Sequence, residues 1–189
     1  MSELQKPEQR LLQVAKERKA LLFGEFKLSA GGISPYYFDG RLLTLDPEGA
    51  YLTAECFLPI LKQCEAEAIA GPTLGADPIV AAVAVMSYIK EFPVSALIVR
   101  KDAKFHGSMR AVEGPLRKGM RVAVVDDTCT SGASLFHAID AVEAEGCEVV
   151  KVLSIMDRMA GGSEECTRRG YDFQSILAAD VEGNISVVS

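Results

Sequence analysis

The chain has 189 residues, 49% of them hydrophobic, and a formal net charge of −6 at pH 7. That length and apolar content suit one domain with a real buried core, with no need for disulfides or a structural metal. The longest apolar runs, 79–85 and 122–125, are too short to cross a bilayer, the polar start at 1–10 is no secretory leader, and the acidic balance speaks against general nucleic-acid binding, so a cytoplasmic protein without a membrane or nucleic-acid partner is expected.

From the N-terminus, 7–22 reads as an amphipathic helix, with Leu11, Leu12, Ala15, Lys19 and Leu22 near helical spacing. Residues 24–45 are irregular and rich in glycine and aromatics, and are expected to form short strands or loops in a small appendage. A regular alternation follows: a helix near 49–64, a strand at 68–71, a helix over 77–90 and a strand at 95–100. A polar, glycine-punctuated stretch, 101–119, precedes a strand at 121–125. A helix over 133–145, a strand at 148–155 and a last strand near 174–177 complete the pattern. Apolar strands alternating with helices predict an α/β fold whose central parallel sheet is flanked by helices. Ligands on such sheets bind beyond the carboxyl ends of the strands, and 71–77, 100–107 and 126–134 all leave such ends.

The five cysteines, Cys56, Cys64, Cys129, Cys147 and Cys166, are odd in number and show no Cys-x-x-Cys spacing, so they read as buried free thiols. Charge is unevenly spread. Residues 100–121 hold seven Lys or Arg against Asp102 and Glu113, a local +5, while the rest carries −11. A basic patch on an acidic chain suggests a compact anionic ligand.

The segment RVAVVDDTCTSGASLFHAID carries the most information. A buried strand runs into Asp126 and Asp127, and Thr128, Cys129, Thr130, Ser131, Gly132, Ala133 and Ser134 open a helix. Small residues permit a tight turn, and free N–H groups at a helix start can cradle a phosphate. Two carboxylates would repel that phosphate but suit vicinal sugar hydroxyls or a bound Mg²⁺. An ordinary capped turn explains one acid or one threonine, but poorly both acids with so many small residues. No Gly-Lys-Ser/Thr of a Walker A loop follows a glycine-rich run.

This segment resembles the phosphoribosyl pyrophosphate (PRPP) signature of the type I phosphoribosyltransferases. The resemblance implies that Asp126 and Asp127 contact the ribose hydroxyls and that 128–134 hold the 5′-phosphate. The basic run VRKDAKFHG, at 99–107, resembles the catalytic loop of the orotate phosphoribosyltransferases in particular. By that likeness Arg100, Lys104 and His106 reach the site of a dimer partner, and Lys101 acts in its own subunit. On chemistry alone, a leaving pyrophosphate needs such a concentration of donors, and Gly107, Gly114 and Gly119 would let a lid open and close.

The likeness extends along most of the chain. Residues 26–39 look like the family's N-terminal hood, with Tyr37 and Phe38 at the positions of an aromatic pair that contacts orotate; hood packing is the alternative for both. Residues 71–78 are similar to the pyrophosphate-binding loop. Asp157-Arg158 matches a pair whose arginine binds the orotate carboxylate, a bidentate role suited to a guanidinium, against the alternative of an ion pair with Asp157. Thr130 is also implied in orotate binding. Two positions depart: Ser29 and Gly75 stand where some members carry lysine. Cys129 replaces a commoner aliphatic residue and reads as an apolar filler, and His137 reads as structural with no evident partner.

The resemblance implies one domain over 1–189, with a hood drawn mainly from 1–45 and the C-terminal segment as a further candidate contributor. It implies transfer of ribose 5-phosphate from PRPP to orotate, Mg²⁺ as cofactor carried on PRPP, and a homodimer. The end at Ser189 suggests a stand-alone enzyme without a fused decarboxylase. Two rivals stay open: action on another base, and a PRPP-binding regulator of transcription.

Overall fold

The computed structural model describes residues 5–27, 32–101 and 111–188. Helix α1 (Pro7–Glu17) buries Leu11, Val14 and Ala15. It ends earlier than the periodicity predicts. Lys19 takes a left-handed φ of 59°, and Leu21 and Leu22 leave the helix to pair with Phe38 and Tyr37. Strands β1 (Leu21–Lys27) and β2 (Ile33–Phe38) form an antiparallel two-stranded sheet of their own. Along β2, Ser34, Tyr36 and Phe38 are buried and the intervening residues exposed, the alternation of a strand with one covered face.

Two helices follow: α2 (Gly40–Thr44), not anticipated from the sequence, and α3 (Pro47–Gln63). Asp39 caps the first by accepting from the Arg41 N–H, and Asp46 caps the second by accepting from the Glu48 and Gly49 N–H groups. Then come β3 (Ala68–Pro72), α4 (Asp77–Ile89), β4 (Ser95–Val99) and the short β5 (Val112–Glu113). The C-terminal half holds β6 (Arg121–Cys129), α5 (Ala133–Ala144), β7 (Glu148–Asp157), α6 (Gly162–Arg168), β8 (Phe173–Ala179) and β9 (Ile185–Val187).

Among the described residues these strands build a seven-stranded sheet in the order β5-β4-β3-β6-β7-β8-β9. The five inner strands are parallel, as the β-α-β pattern requires; β5 and β9 are antiparallel edges that the sequence reading missed because each is only two or three residues long. Side chains on β6 alternate between two cores. Ala123 and Val125 pack with Phe57, Ile79 and Val83 of α3 and α4, while Val122 and Val124 pack with Leu135, Ile139 and Val142 of α5. Strand β6 is thus buried on both faces and reads as a continuous apolar run.

The largest correction concerns the length of β6. The hydrophobic run ends at Val125, but pairing with β7 continues through Asp126↔Ser154 and Thr128↔Met156 to Cys129↔Asp157. The ladder satisfies the backbone, so strand continues where the side chains have turned polar. No helix among the described residues is long and apolar enough to cross a membrane. Phe57 is fully buried between α3 and the sheet, so Phe57→Ala is expected to lower unfolding stability by about 3–5 kcal/mol in a denaturant titration.

Candidate active site

At the carboxyl edge of the sheet lies a cleft of about 680 Å³, lined by residues of β2, α2, the β3–α4 loop, Lys101, the end of β6 and the start of α5. Its floor is the acid pair. By the two-residue period of β6, Asp126 falls on the α5 side and Asp127 on the side of α3 and α4. Asp126 accepts a 2.6 Å hydrogen bond from the Ser134 hydroxyl and a 2.9 Å bond from the Asp127 backbone N–H. Asp127 lies against two glycines. A Cβ on Gly40 would stand 2.6 Å from Asp127 Cβ, and one on Gly75 would stand 3.0 Å from Asp127 Cγ. A side chain at Gly75 would therefore need the acid pair to give by a few tenths of an ångström.

Burial pushes both carboxyls above the ordinary carboxylate range. For Asp126 the neighbouring Asp127 adds to this and the Ser134 hydrogen bond opposes it. At the cleft wall, Arg41 donates to both oxygens of Asp39 at 2.9 and 3.0 Å and holds that carboxyl below its usual value. The Asp39–Gly40–Arg41 turn was missed in the sequence, where it reads only as the end of the aromatic segment; the Asx cap of α2 was its available signal.

Gly132, with φ 78°, turns the chain from β6 into α5, a left-handed conformation that disfavours any side chain. Ala133 and Ser134 open α5 at the cleft, where N–H groups of a first helical turn lack intrahelical partners. Thr128 also lines the cleft. Cys129 does not: its thiol is fully buried in the α5 core and pushed up to about 12 by that burial, so it is the filler expected of it.

The two aromatics implied for the base diverge. Tyr37 is 41% exposed and Phe38 only 6%, because adjacent strand residues point to opposite faces. Both contribute to the cleft wall. Thr130 and Arg158 line a neighbouring depression of about 430 Å³ together with Ser34 and Tyr36. Arg158 does not pair with Asp157, whose carboxylate accepts from the Met159 N–H. Arg100 and Lys101 border a third depression with Thr73, Asp77 and Glu113, where Arg100 lies 3.6 Å from the Glu113 carboxylate. His137 lines the main cleft and has a partner after all: its Nε2 lies 2.9 Å from the Arg100 carbonyl oxygen. Lys104, His106 and Ser29 lie outside the described residues.

A mostly parallel sheet with adjacent acids and a small-residue loop at its carboxyl edge defines a phosphoribosyl transferase domain, and the family model of that description matches residues 68–180. The chain is 39% identical to the orotate phosphoribosyltransferase of Aquifex aeolicus over 171 residues, covering 89% of this chain and 93% of that protein. It superposes on the Mycobacterium tuberculosis orotate phosphoribosyltransferase with a TM-score of 0.79 at 34% identity, over 91% of this chain and 96% of the other. A structure of the same mycobacterial protein in complex with PRPP gives a TM-score of 0.76 at 30% identity, over 91% and 96% of the two chains. The chain belongs to the orotate phosphoribosyltransferases.

Raised carboxyl values have a stability consequence. The contribution linked to Asp126 is fully present below the unfolded value of about 4 and is lost as pH rises through the higher folded value. Asp126→Asn should therefore gain stability relative to the parent as pH climbs from about 4 to 8, read as urea midpoints. A difference that stays constant with pH would contradict the buried-charge account.

Proposed function

We propose that this chain transfers ribose 5-phosphate from PRPP to N1 of orotate, giving orotidine 5′-monophosphate and pyrophosphate, in pyrimidine biosynthesis. The observation that carries the reading is the Asp126–Asp127 pair on the cleft floor beside the open start of α5, in a chain so similar to known orotate phosphoribosyltransferases.

In this reading Asp126 and Asp127 accept from the ribose 2′ and 3′ hydroxyls. The N–H groups and hydroxyls of Thr128, Cys129, Thr130, Ser131, Gly132, Ala133 and Ser134 receive the 5′-phosphate, Cys129 through its backbone alone. The bond from ribose C1 to pyrophosphate breaks with its electron pair leaving on oxygen, and orotate N1 gives up its proton to solvent as its electron pair forms the new bond to C1. Charge builds on the leaving group, so the cations Arg100, Lys101 and Lys104, with His106, act where they stabilise the transition state most. Arg158 and Thr130 hold orotate, with Tyr37 and Phe38 forming the adjacent wall. Mg²⁺ is the expected cofactor. Carboxylate oxygens suit such a hard ion, and the Asp126–Asp127 pair would hold it through the ribose hydroxyls of PRPP. When bound, it would offset the pyrophosphate charge.

Residues 1–189 act as one catalytic domain in this account, with β1 and β2 as the hood. One core joins Tyr36 and Phe38 of β2 to Leu153 and Ile176 of the main sheet, which supports that reading. The enzyme works in the cytoplasm as a homodimer in which Arg100, Lys104 and His106 serve the partner's site and Lys101 serves its own. Val85, Tyr88 and Ile89 form an exposed apolar stripe at helical spacing on α4, a surface that a second copy would cover.

Three measurements test the proposal. Purified protein with PRPP and Mg²⁺ should consume orotate, followed by ultraviolet absorbance, and leave uracil, hypoxanthine and adenine unchanged; consumption of another base instead would overturn the base assignment. Lys104→Ala should fold normally but lose about 10²–10³-fold in kcat, the scale of removing one transition-state donor. Tyr88→Glu should yield monomer by light scattering with little activity, whereas a fully active monomer would contradict loop sharing.

A further inference from the structure

Arg158 stands at the carboxyl end of β7, where its backbone N–H donates to the Cys129 carbonyl at 2.9 Å. Its guanidinium is held by β2 and not by an acid. One terminal nitrogen donates to Ser34 Oγ at 3.2 Å, and the guanidinium carbon lies 4.8 Å from the centre of the Tyr36 ring. Ser34 is itself fixed. Its hydroxyl donates to the Tyr36 carbonyl at 2.7 Å and accepts from the Tyr36 N–H at 3.4 Å. With its proton committed to that carbonyl, Ser34 Oγ can only accept from Arg158.

The nearby carboxylates are otherwise engaged. Asp157 accepts from the Met159 N–H, and Asp180 accepts from the Glu182 and Asn184 N–H groups and from the Asn184 side chain. Among the described residues Arg158 forms no ion pair, although Asp180 lines the same depression. A guanidinium held on one face by a ring and on one nitrogen by a hydroxyl keeps its other N–H groups for a planar anion. Both clamping side chains are nearly inaccessible, at 5% exposure each, so they set the arginine from behind without meeting a ligand in bulk solvent.

From this geometry we infer that Ser34 and Tyr36 are positioning residues that aim Arg158 at the carboxylate of the base, and so help set its preference for a carboxylated pyrimidine. The inference rests on the proposed use of orotate. It places part of the base specificity in β2, in two buried residues beside the exposed Tyr37. The hood would then act through the arginine as well as through its aromatic wall. Tyr36 supplies a cation–π face that aligns the guanidinium plane, and Ser34 selects its rotation about that face.

A double-mutant cycle tests this. Ser34→Ala removes one hydroxyl and should raise KM for orotate roughly tenfold, the scale of one charge-assisted hydrogen bond. KM for PRPP and the thermal midpoint should stay within about twofold and a few degrees of the parent. In an Arg158→Ala background the same substitution should add nothing, because its effect passes through the missing guanidinium. Tyr36→Leu, which removes the ring and leaves the Ser34 hydroxyl, should show the same pattern and serves if Ser34→Ala folds poorly. Additive effects, or an equal rise in KM for PRPP, would overturn the positioning role. If Arg158→Ala alone left KM for orotate unchanged, the assignment of Arg158 to the base would fail first, and that outcome is distinct from failure of the Ser34 and Tyr36 inference.

Discussion

The structure is organised around two adjacent carboxylates at the floor of one cleft, Asp126 buried and Asp127 half-buried. Asp126 and Asp127 are neighbours at the end of one strand, and both carboxyls reach the cleft floor. There α5 offers the Ser134 hydroxyl to Asp126, Gly40 leaves room for Asp127, and a Cβ on Gly75 would stand 3.0 Å from Asp127 Oδ1 and 3.2 Å from Asp126 Oδ1. Burial raises both carboxyls, which means that the folded chain carries this pair against a cost. A cost of that kind at a cleft floor is characteristic of a site retained for function.

Charge is sorted on a larger scale by the same constraint. An acidic floor accepts hydroxyls and rejects phosphates, and the function we propose accordingly has phosphate received elsewhere, at the start of α5 and at the basic residues that follow β4. PRPP has this alternation, with a polyhydroxyl ring between two anionic ends. In that proposal the cleft matches PRPP group by group with no need for a broadly basic surface, and the net charge of −6 is compatible with an anionic ligand.

Much of this was readable in the amino-acid order. The alternation of apolar runs and helical segments gave the parallel core, and the Asp-Asp-Thr-Cys-Thr-Ser-Gly run marked the site because no ordinary turn needs both acids. What escaped had physical reasons. The end of β6 was hidden because hydrophobicity stops at Val125 while backbone pairing to β7 does not. Helix α1 was overextended because Leu22 fits the helical period equally well as it fits β1. Strands β5 and β9 are too short to have a period. The contacts of Ser34 and Tyr36 with Arg158 span more than a hundred residues of chain and leave no local signal. Tyr37 and Phe38, adjacent in sequence, were read as a unit, although strand geometry separates their faces.

The central claim is that the acid pair is held desolvated and meets the ribose. Its most direct test follows the side-chain carboxyl carbons of Asp126 and Asp127 by nuclear magnetic resonance across pH, with and without PRPP, assigned through the corresponding asparagine variants. The account predicts that both titrate above the ordinary aspartate value of about 3.9 in the free protein, Asp126 well above it, and that resonances of both residues are displaced when PRPP binds. Two carboxyls titrating as in an unstructured peptide, with neither resonance moved by PRPP, would contradict it.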